Sequence, residues 1–247
     1  MVHTNRWTGW TWLVVAGALA LSPAPADAEG FLDLYLGAAF PQDSDVDTSA
    51  DDPIVADMIS YPSDVEWETS PSFGIRGGYW FDEPGLNFLG IGLDLSYYRA
   101  FEESDFASLD VYVTPLTPLL MLRIPIATSE AFPGGRIQPY GAIGPGFTLA
   151  AAHADTDELR DNFSGFDTHL DDFEAATFDV GLDARAGLAI QLAPHFAVFG
   201  EYRYTYIELE FEDDVDAFDN VGLFETEIDI EPELETHHLV FGVSFRF

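Results

Sequence analysis

The chain has 247 residues, 47% of them hydrophobic, no cysteine, and 44 acidic residues against nine arginines and no lysine, for a formal charge of −35. That balance excludes a basic nucleic-acid surface, and the missing cysteines exclude a disulfide framework or a thiolate metal site. So acidic a chain reads as disordered unless its charge is segregated from its apolar residues; the hydrophobic share requires that segregation, and the length suits one β-domain.

Residues 1–28 have the layout of an export signal. Arg6 gives a weakly basic start, and Leu13 to Leu21 is an apolar core that breaks at Ser22-Pro23. That core is too short to cross a bilayer as a helix. Ala24-Pro25-Ala26 and Ala26-Asp27-Ala28 offer small-residue cleavage sites, and cleavage after Ala28 leaves residues 29–247 as the mature domain.

From there the pattern has a period of two, the mark of strands with unlike faces. The first predicted strand is Phe31 to Phe40, with Leu32, Leu34, Leu36 and Ala38 on one face and Asp33, Tyr35 and Gly37 on the other. Residues 41–70 follow as a long acidic loop. The second strand, Phe73 to Phe81, puts Phe73, Ile75 and Tyr79 opposite Gly74, Arg76 and Gly78, and ends at the turn Asp82-Glu83-Pro84-Gly85. The third, Phe88 to Arg99, alternates Leu89, Ile91, Leu93, Leu95 and Tyr97 with Gly90, Gly92, Asp94, Ser96 and Tyr98. In the fourth, Leu109 to Ile124, Pro115 and Pro118 predict a bulge or an altered register; Arg123 faces inward if Leu122 and Ile124 face lipid.

The fifth strand, Ile137 to Ala151, is rich in Gly and Ala. The sixth, Phe178 to Leu192, carries Phe178, Val180, Leu182, Leu188 and Ile190 outward and Asp179, Asp183 and Arg185 inward. After the tight turn Ala193-Pro194-His195, the seventh starts at Phe196, with Val198, Tyr202, Tyr204 and Tyr206 outward and Glu201, Arg203 and Thr205 inward. The eighth is the final stretch from His237: Leu239, Phe241, Val243, Phe245 and Phe247 alternate with His238, Val240, Gly242, Ser244 and Arg246.

Eight strands, with short turns alternating with longer loops, predict an all-β, eight-stranded, antiparallel up-and-down transmembrane barrel. Tilted strands of about 9–11 residues cross a bilayer, and closure leaves no ladder group unpaired in lipid. An even count puts both termini on the periplasmic side. A lipocalin-like soluble barrel would turn the apolar face inward, leave the arginines and acids outside, and ask glycine to fill the core.

Three short stretches carry a family resemblance: Gln138-Pro139-Tyr140-Gly141, Phe199-Gly200-Glu201-Tyr202-Arg203-Tyr204-Thr205, and the terminal Phe247. On these residues the chain resembles the small outer-membrane β-barrel family of Gram-negative bacteria, which includes the transmembrane domain of outer membrane protein A and porin-like, opacity-type barrels. The resemblance implies a lumen crossed by salt bridges, with Glu201 and Arg203 at inward charged positions. It implies outer-membrane lipid and lipopolysaccharide as surroundings. It also implies that the terminal aromatic strand, Phe245 and Phe247, is the signal read by the outer-membrane assembly machinery. The sequence stops on the barrel, with no appended peptidoglycan-binding domain, so no cell-wall tether is expected; the expected state is a monomer.

The predicted lumen holds Asp33, Asp94, Asp179, Asp183 and Glu201 with Arg76, Arg123, Arg185, Arg203 and Arg246. Charges there must pair, and bidentate Arg–carboxylate bonds would tie opposite walls. They act either as a plug or as a gate, and the narrow interior of an eight-stranded barrel favours the plug.

Above Tyr206 and Leu239 the polarity reverses. Glu208, Glu210 and Glu212 take the outward parity of one strand, and Glu225, Glu227, Asp229, Glu231, Glu233 and Glu235 that of the other; Ile207, Leu209 and Phe211 turn inward with Ile228, Ile230 and Leu234. This predicts a ribbon standing above the membrane, acids out, with apolar side chains over the barrel mouth. Carboxylates facing each other across strands repel, and divalent cations would relieve them.

Asp43-Ser44-Asp45-Val46-Asp47 opens like a calcium loop, but Thr48 and Ile54 stand where Gly and the closing Glu belong, so Asp43, Asp45 and Asp47 amount to a low-affinity Ca²⁺ site at most and no other cofactor is expected. Lipid A acyl hydrolases of similar barrels use a His-x-Ser pair, which this chain lacks; the expectation is a protein that is not an enzyme. The functional reading is a structural or narrow porin-like outer-membrane barrel with acidic extracellular loops. The alternatives are a cation- or ligand-binding surface module and a channel for small hydrophobic solutes.

Overall fold

The computed structural model describes residues 28–42, 46–50, 67–103, 108–155, 173–219 and 222–247. Its strands are β1 (Ala28–Pro41), β2 (Val46–Ala50), β3 (Ser70–Phe81), β4 (Leu89–Glu103), β5 (Ser108–Arg123), β6 (Ile137–Asp155), β7 (Phe173–Ala193), β8 (Phe196–Glu208), β9 (Phe211–Asp219) and β10 (Gly222–Arg246). All but β2 and β9 form an antiparallel ring in chain order, and β1 pairs β10 along Phe31–Pro41 to close it. Each of the eight ring strands therefore has two neighbours, and no edge faces the bilayer.

The period-two pattern sets the two faces of this wall. Leu36 and Phe241 are 71% and 69% exposed on the outside, while Tyr35 and Val240, next to them in sequence, are 5% and 0% exposed within. Leu122 and Ile124 point out and Arg123 points in. An apolar exterior of this extent would drive aggregation in water; in a bilayer it is the lipid-facing side.

Short turns gather at one end of the ring. At Glu83–Leu86 the Leu86 N–H donates to the Glu83 carbonyl at 2.9 Å, with Pro84 first and Gly85 second at the corner. Gly85 has φ +89°, a conformation that this turn demands and that favours glycine. Phe88 lies in this connection, so β4 starts one residue later than the alternation suggests.

The bulge expected at Pro115 and Pro118 is absent. β5 keeps a single register against both neighbours: Leu95↔Leu116 and Tyr98↔Val113 on one side, Leu116↔Phe147 and Leu120↔Ile143 on the other. In that register Pro118 stands opposite Pro145. Neither has an N–H to give, so the ladder lapses over 117–119 and 144–146 without slipping. A one-residue slip would turn every apolar side chain of β5 from lipid to lumen, which costs more than the missing bonds. A register shift occurs instead in β7 between Gln191 and Ala193, next to the two-residue turn to β8.

At the other end the strands outrun the wall. β10 continues upward to pair with β9 on one side and, through Ile228–Pro232, with β2 on the other. β2 falls within the stretch read from sequence as loop. The result is a three-stranded ribbon above the long-loop end of the barrel. Ile207, Leu209, Phe211, Ile230 and Leu234 are all buried, and join Trp67, Tyr98, Val111 and Val113 in an apolar cap over the lumen. Glu208, Glu210, Glu231 and Glu233 are exposed. The side chains of Glu212, Glu225, Glu227 and Ile228 lie outside the described residues.

Candidate functional site: the charged lumen

Below the apolar cap the lumen holds a layer of charge supplied by β1, β3, β4, β7 and β8. Arg76 on β3 donates from Nε to Asp33 Oδ2 at 2.8 Å and from Nη1 to Glu201 Oε2 at 2.6 Å. Arg185 on β7 makes two bidentate pairs. Its Nε and Nη2 reach the two oxygens of Asp183, each at 2.7 Å, and its Nη1 and Nη2 reach those of Asp94 at 2.8 and 3.0 Å. Arg203 on β8 lies more loosely between Glu201 at 3.4 Å and Asp94 at 3.6 Å. All of these side chains are buried, and Arg185 and Arg203, opposite each other in the β7–β8 register, are bridged by Asp94 and Glu201. Removing such charges from water is offset only by this density of charge-assisted bonds.

Two tyrosines complete the layer. The Tyr35 hydroxyl donates to Asp94 at 2.8 Å, and the Tyr140 hydroxyl to Glu201 Oε2 at 2.8 Å. Tyr35 lies under the Arg203 guanidinium, 4.9 Å from carbon to ring centre, and Arg76 is flanked by Phe199 and Tyr140. These contacts fill the space that the ion pairs leave, so the cross-section is occupied by side chains. Tyr140 stands on β6 across the barrel from Tyr35, which the sequence pattern alone does not reveal.

At the short-turn end a second, smaller group closes the barrel. Arg123 donates from Nη1 to Glu29 Oε2 at 2.8 Å and from Nε to the Asn87 carbonyl at 3.1 Å, and its guanidinium stacks on Trp80 at 4.6 Å. Arg246 is buried and its nearest carboxylate oxygen, on Glu29, is 3.8 Å away. The alternation that begins the first strand at Phe31 leaves Glu29 out of the predicted lumen. Glu29 shares the odd parity of Asp33, so extending that strand by two residues is the signal that finds it.

Asp179 is the one predicted lumen charge that neither group includes. It is half-exposed near the long-loop end and accepts a hydrogen bond from Thr177 Oγ1 at 2.7 Å. The inward parity is right, but its height along β7 is above the plane of the arginines. Asp43 and Asp45 lie outside the described residues; Asp47 stands opposite Glu231 in the β2–β10 register. No group of three or more metal-ligating side chains occurs among the described residues. The two adjacent histidines face opposite ways. His237 points outward with Tyr202 and Gln42, and His238 points inward beside Thr205 and Tyr98, so they do not share a site. Phe245 faces lipid against Phe196, and Phe247 bonds backbone to backbone with Gly30, its N–H donating at 3.0 Å and its carbonyl accepting at 2.7 Å.

Residues 12–247 match the sequence family described as the outer membrane protein beta-barrel domain. The chain belongs to that family. Its structural neighbours are bacterial outer-membrane barrels. A major outer membrane protein from Thermus thermophilus aligns at a TM-score of 0.50 and 14% identity, over 88% of this chain and 99% of that one. OprG from Pseudomonas aeruginosa aligns at 0.48 and 17% identity, over 90% and 96%. Neisserial surface protein A aligns at 0.47 and 14%, over 89% and 99%. No curated protein matches the chain. Identities this low speak of the fold and not of what the barrel does.

Proposed function

We propose that this family member is an exported outer-membrane barrel with a closed lumen, structural in the membrane and presenting an acidic ribbon outside the cell. The leader, residues 1–28, is removed on export, and both termini face the periplasm, as the short-turn end does in bacterial barrels. The observation that carries the closed lumen is its packing. Between the apolar cap and the Arg123–Glu29 pair, two internal spaces among the described residues measure about 10 Å³ each, room for about one water apiece. A pore needs a continuous water path, and the ion pairs with Tyr35, Tyr140 and Phe199 stand in the section that such a path would have to cross. The apolar mouth that a hydrophobic-solute channel would use is filled by Leu209, Phe211 and Leu234, at 1%, 1% and 0% exposure. Single-channel recording of the refolded protein in a planar bilayer tests this reading: silence from folded protein is expected, and stable conductance steps would overturn it.

A second reading is supported by the ribbon. Its register sets acid opposite acid at alternate positions: Glu233↔Glu208, Glu231↔Asp47, Asp229↔Glu212, Glu227↔Asp214 and Glu225↔Asp216. The Tyr206 hydroxyl is shared by Glu208 and Glu233, 2.5 Å from each. Facing carboxylates favour a surface that takes up cations or cationic ligands. Millimolar Ca²⁺ should then slow proteolysis of the ribbon in the intact protein while leaving the barrel unchanged.

A further inference from the structure

The floor of the lumen and its charged layer enclose a small space. It is bounded by Asp33, Arg76, Trp80, Tyr140 and Arg246, with Phe31 and Phe199 among its apolar walls, and measures about 10 Å³. Four buried polar atoms on its lining residues have no hydrogen-bond partner: Trp80 Nε1, Arg246 Nε, Arg246 Nη1 and Asp33 Oδ1. Trp80, Arg246 and Asp33 are only 3%, 7% and 3% exposed, so bulk solvent does not satisfy them. Buried donors and acceptors are rarely left unmet.

We propose that this chamber is a hydration site. It holds an ordered water bonded by Arg246, Trp80 and Asp33. The stoichiometry of the free groups points to water. Three are N–H donors and one is a carboxylate oxygen; a water accepts from two donors and donates to one acceptor. Charge argues the same way. Around the chamber Arg76, Arg123 and Arg246 balance Glu29, Asp33 and Glu201, so a bound anion would leave the site with a net charge in a low-dielectric interior. Entry is from the turn end, where the Glu29 side chain is 23% exposed. At the opposite end Ile207, Leu209, Phe211, Ile230 and Leu234 surround Trp67 with mainly apolar side chains.

The chain supplies its own reporters. Residues 29–247 contain two tryptophans, Trp80 in the chamber and Trp67 in the apolar cap. The experiment uses protein taken from outer membranes into lipid vesicles, its leader removal checked by mass. Trp67→Phe leaves Trp80 as the sole indole, and Trp80→Phe leaves Trp67. The expected result is a red-shifted Trp80 emission whose lifetime lengthens in D₂O, against a blue-shifted Trp67 emission that D₂O does not change. Arg246→Met should move Trp80 emission toward the blue by removing two of the donors. If that variant fails to fold, the two single-tryptophan proteins still decide the matter. Blue, D₂O-insensitive emission from Trp80 would overturn the proposal. Saturable quenching of Trp80 by bromide would overturn it too, in favour of an anion. The proposal stands apart from the closed-lumen reading. Conductance through the barrel would break that reading alone, since Trp80 reports on the chamber whether or not the cap conducts.

Discussion

The lumen and the ribbon use the same acidic residues in opposite ways. In the lumen Asp94, Asp183 and Glu201 are buried, and each meets arginine within hydrogen-bonding distance. At the foot of the ribbon Glu208 and Glu233, both exposed, stand opposite each other, a pair of two carboxylates without an arginine. The first arrangement stands where water is excluded, so each charge must be answered locally. The second stands in solvent, where high dielectric and salt weaken the repulsion to a small term. The lesson is that an acid's consequence is set by its surroundings.

The sharpest way to break that contrast is Arg185→Met. It strips Asp94 and Asp183 of both bidentate pairs and should cost about 3–5 kcal/mol, read as a drop in the urea midpoint of unfolding in lipid vesicles. A loss no larger than that from a ribbon substitution would show the lumen charges to be solvated after all. Next is the closing seam. A Cβ on Gly30 would lie 2.5 Å from the Phe247 ring, so Gly30→Leu should displace the terminal aromatic and cost roughly 1–3 kcal/mol by overpacking, seen as a smaller folded fraction on unheated gels.

A gain is expected at the proline pair. Pro145→Ala restores one ladder donor opposite Pro118 and should add about 0.5–1.5 kcal/mol; the new amide should resist hydrogen exchange, and rapid exchange there would mean that the strands are held apart by more than the missing bond. The smallest effect belongs to the ribbon. Glu233→Gln removes one facing pair and should stabilise by about 0.2–1 kcal/mol at low ionic strength. That gain should fade in about 1 M salt, where the screening length falls to roughly 3 Å; a gain that persisted in salt would have to come from something other than repulsion.

The strands were legible because lipid and lumen demand opposite polarity at every other residue, so Leu34, Leu36, Phe241 and Phe245 declare one face and Asp33, Arg76, Glu201 and Arg203 the other. Parity places a side chain inside the wall but gives no height. Asp179 therefore has the mark of a member of the charged layer and is not one, while Tyr35 and Tyr140 lie at the right height without a charge to mark them. The prolines mislead for a related reason. Read within one strand, Pro115 and Pro118 signal a break; only the pairing of Pro118 with Pro145 shows that the ladder loses bonds and keeps step.

By itself the sequence determined the all-β alternation, the inward and outward faces, the segregation of acid into the long connections and the reversal of polarity above Tyr206, since each depends on residues a fixed number of steps apart along one strand. The tertiary structure alone decided which arginine meets which carboxylate, that Tyr35 and Tyr140 cap them, and that Arg246 and Trp80 enclose a space with unmet hydrogen bonds. Those relations depend on register and on closure of the ring, which bring residues as far apart as Arg76 and Glu201 to 2.6 Å, and no periodicity along the chain encodes that distance.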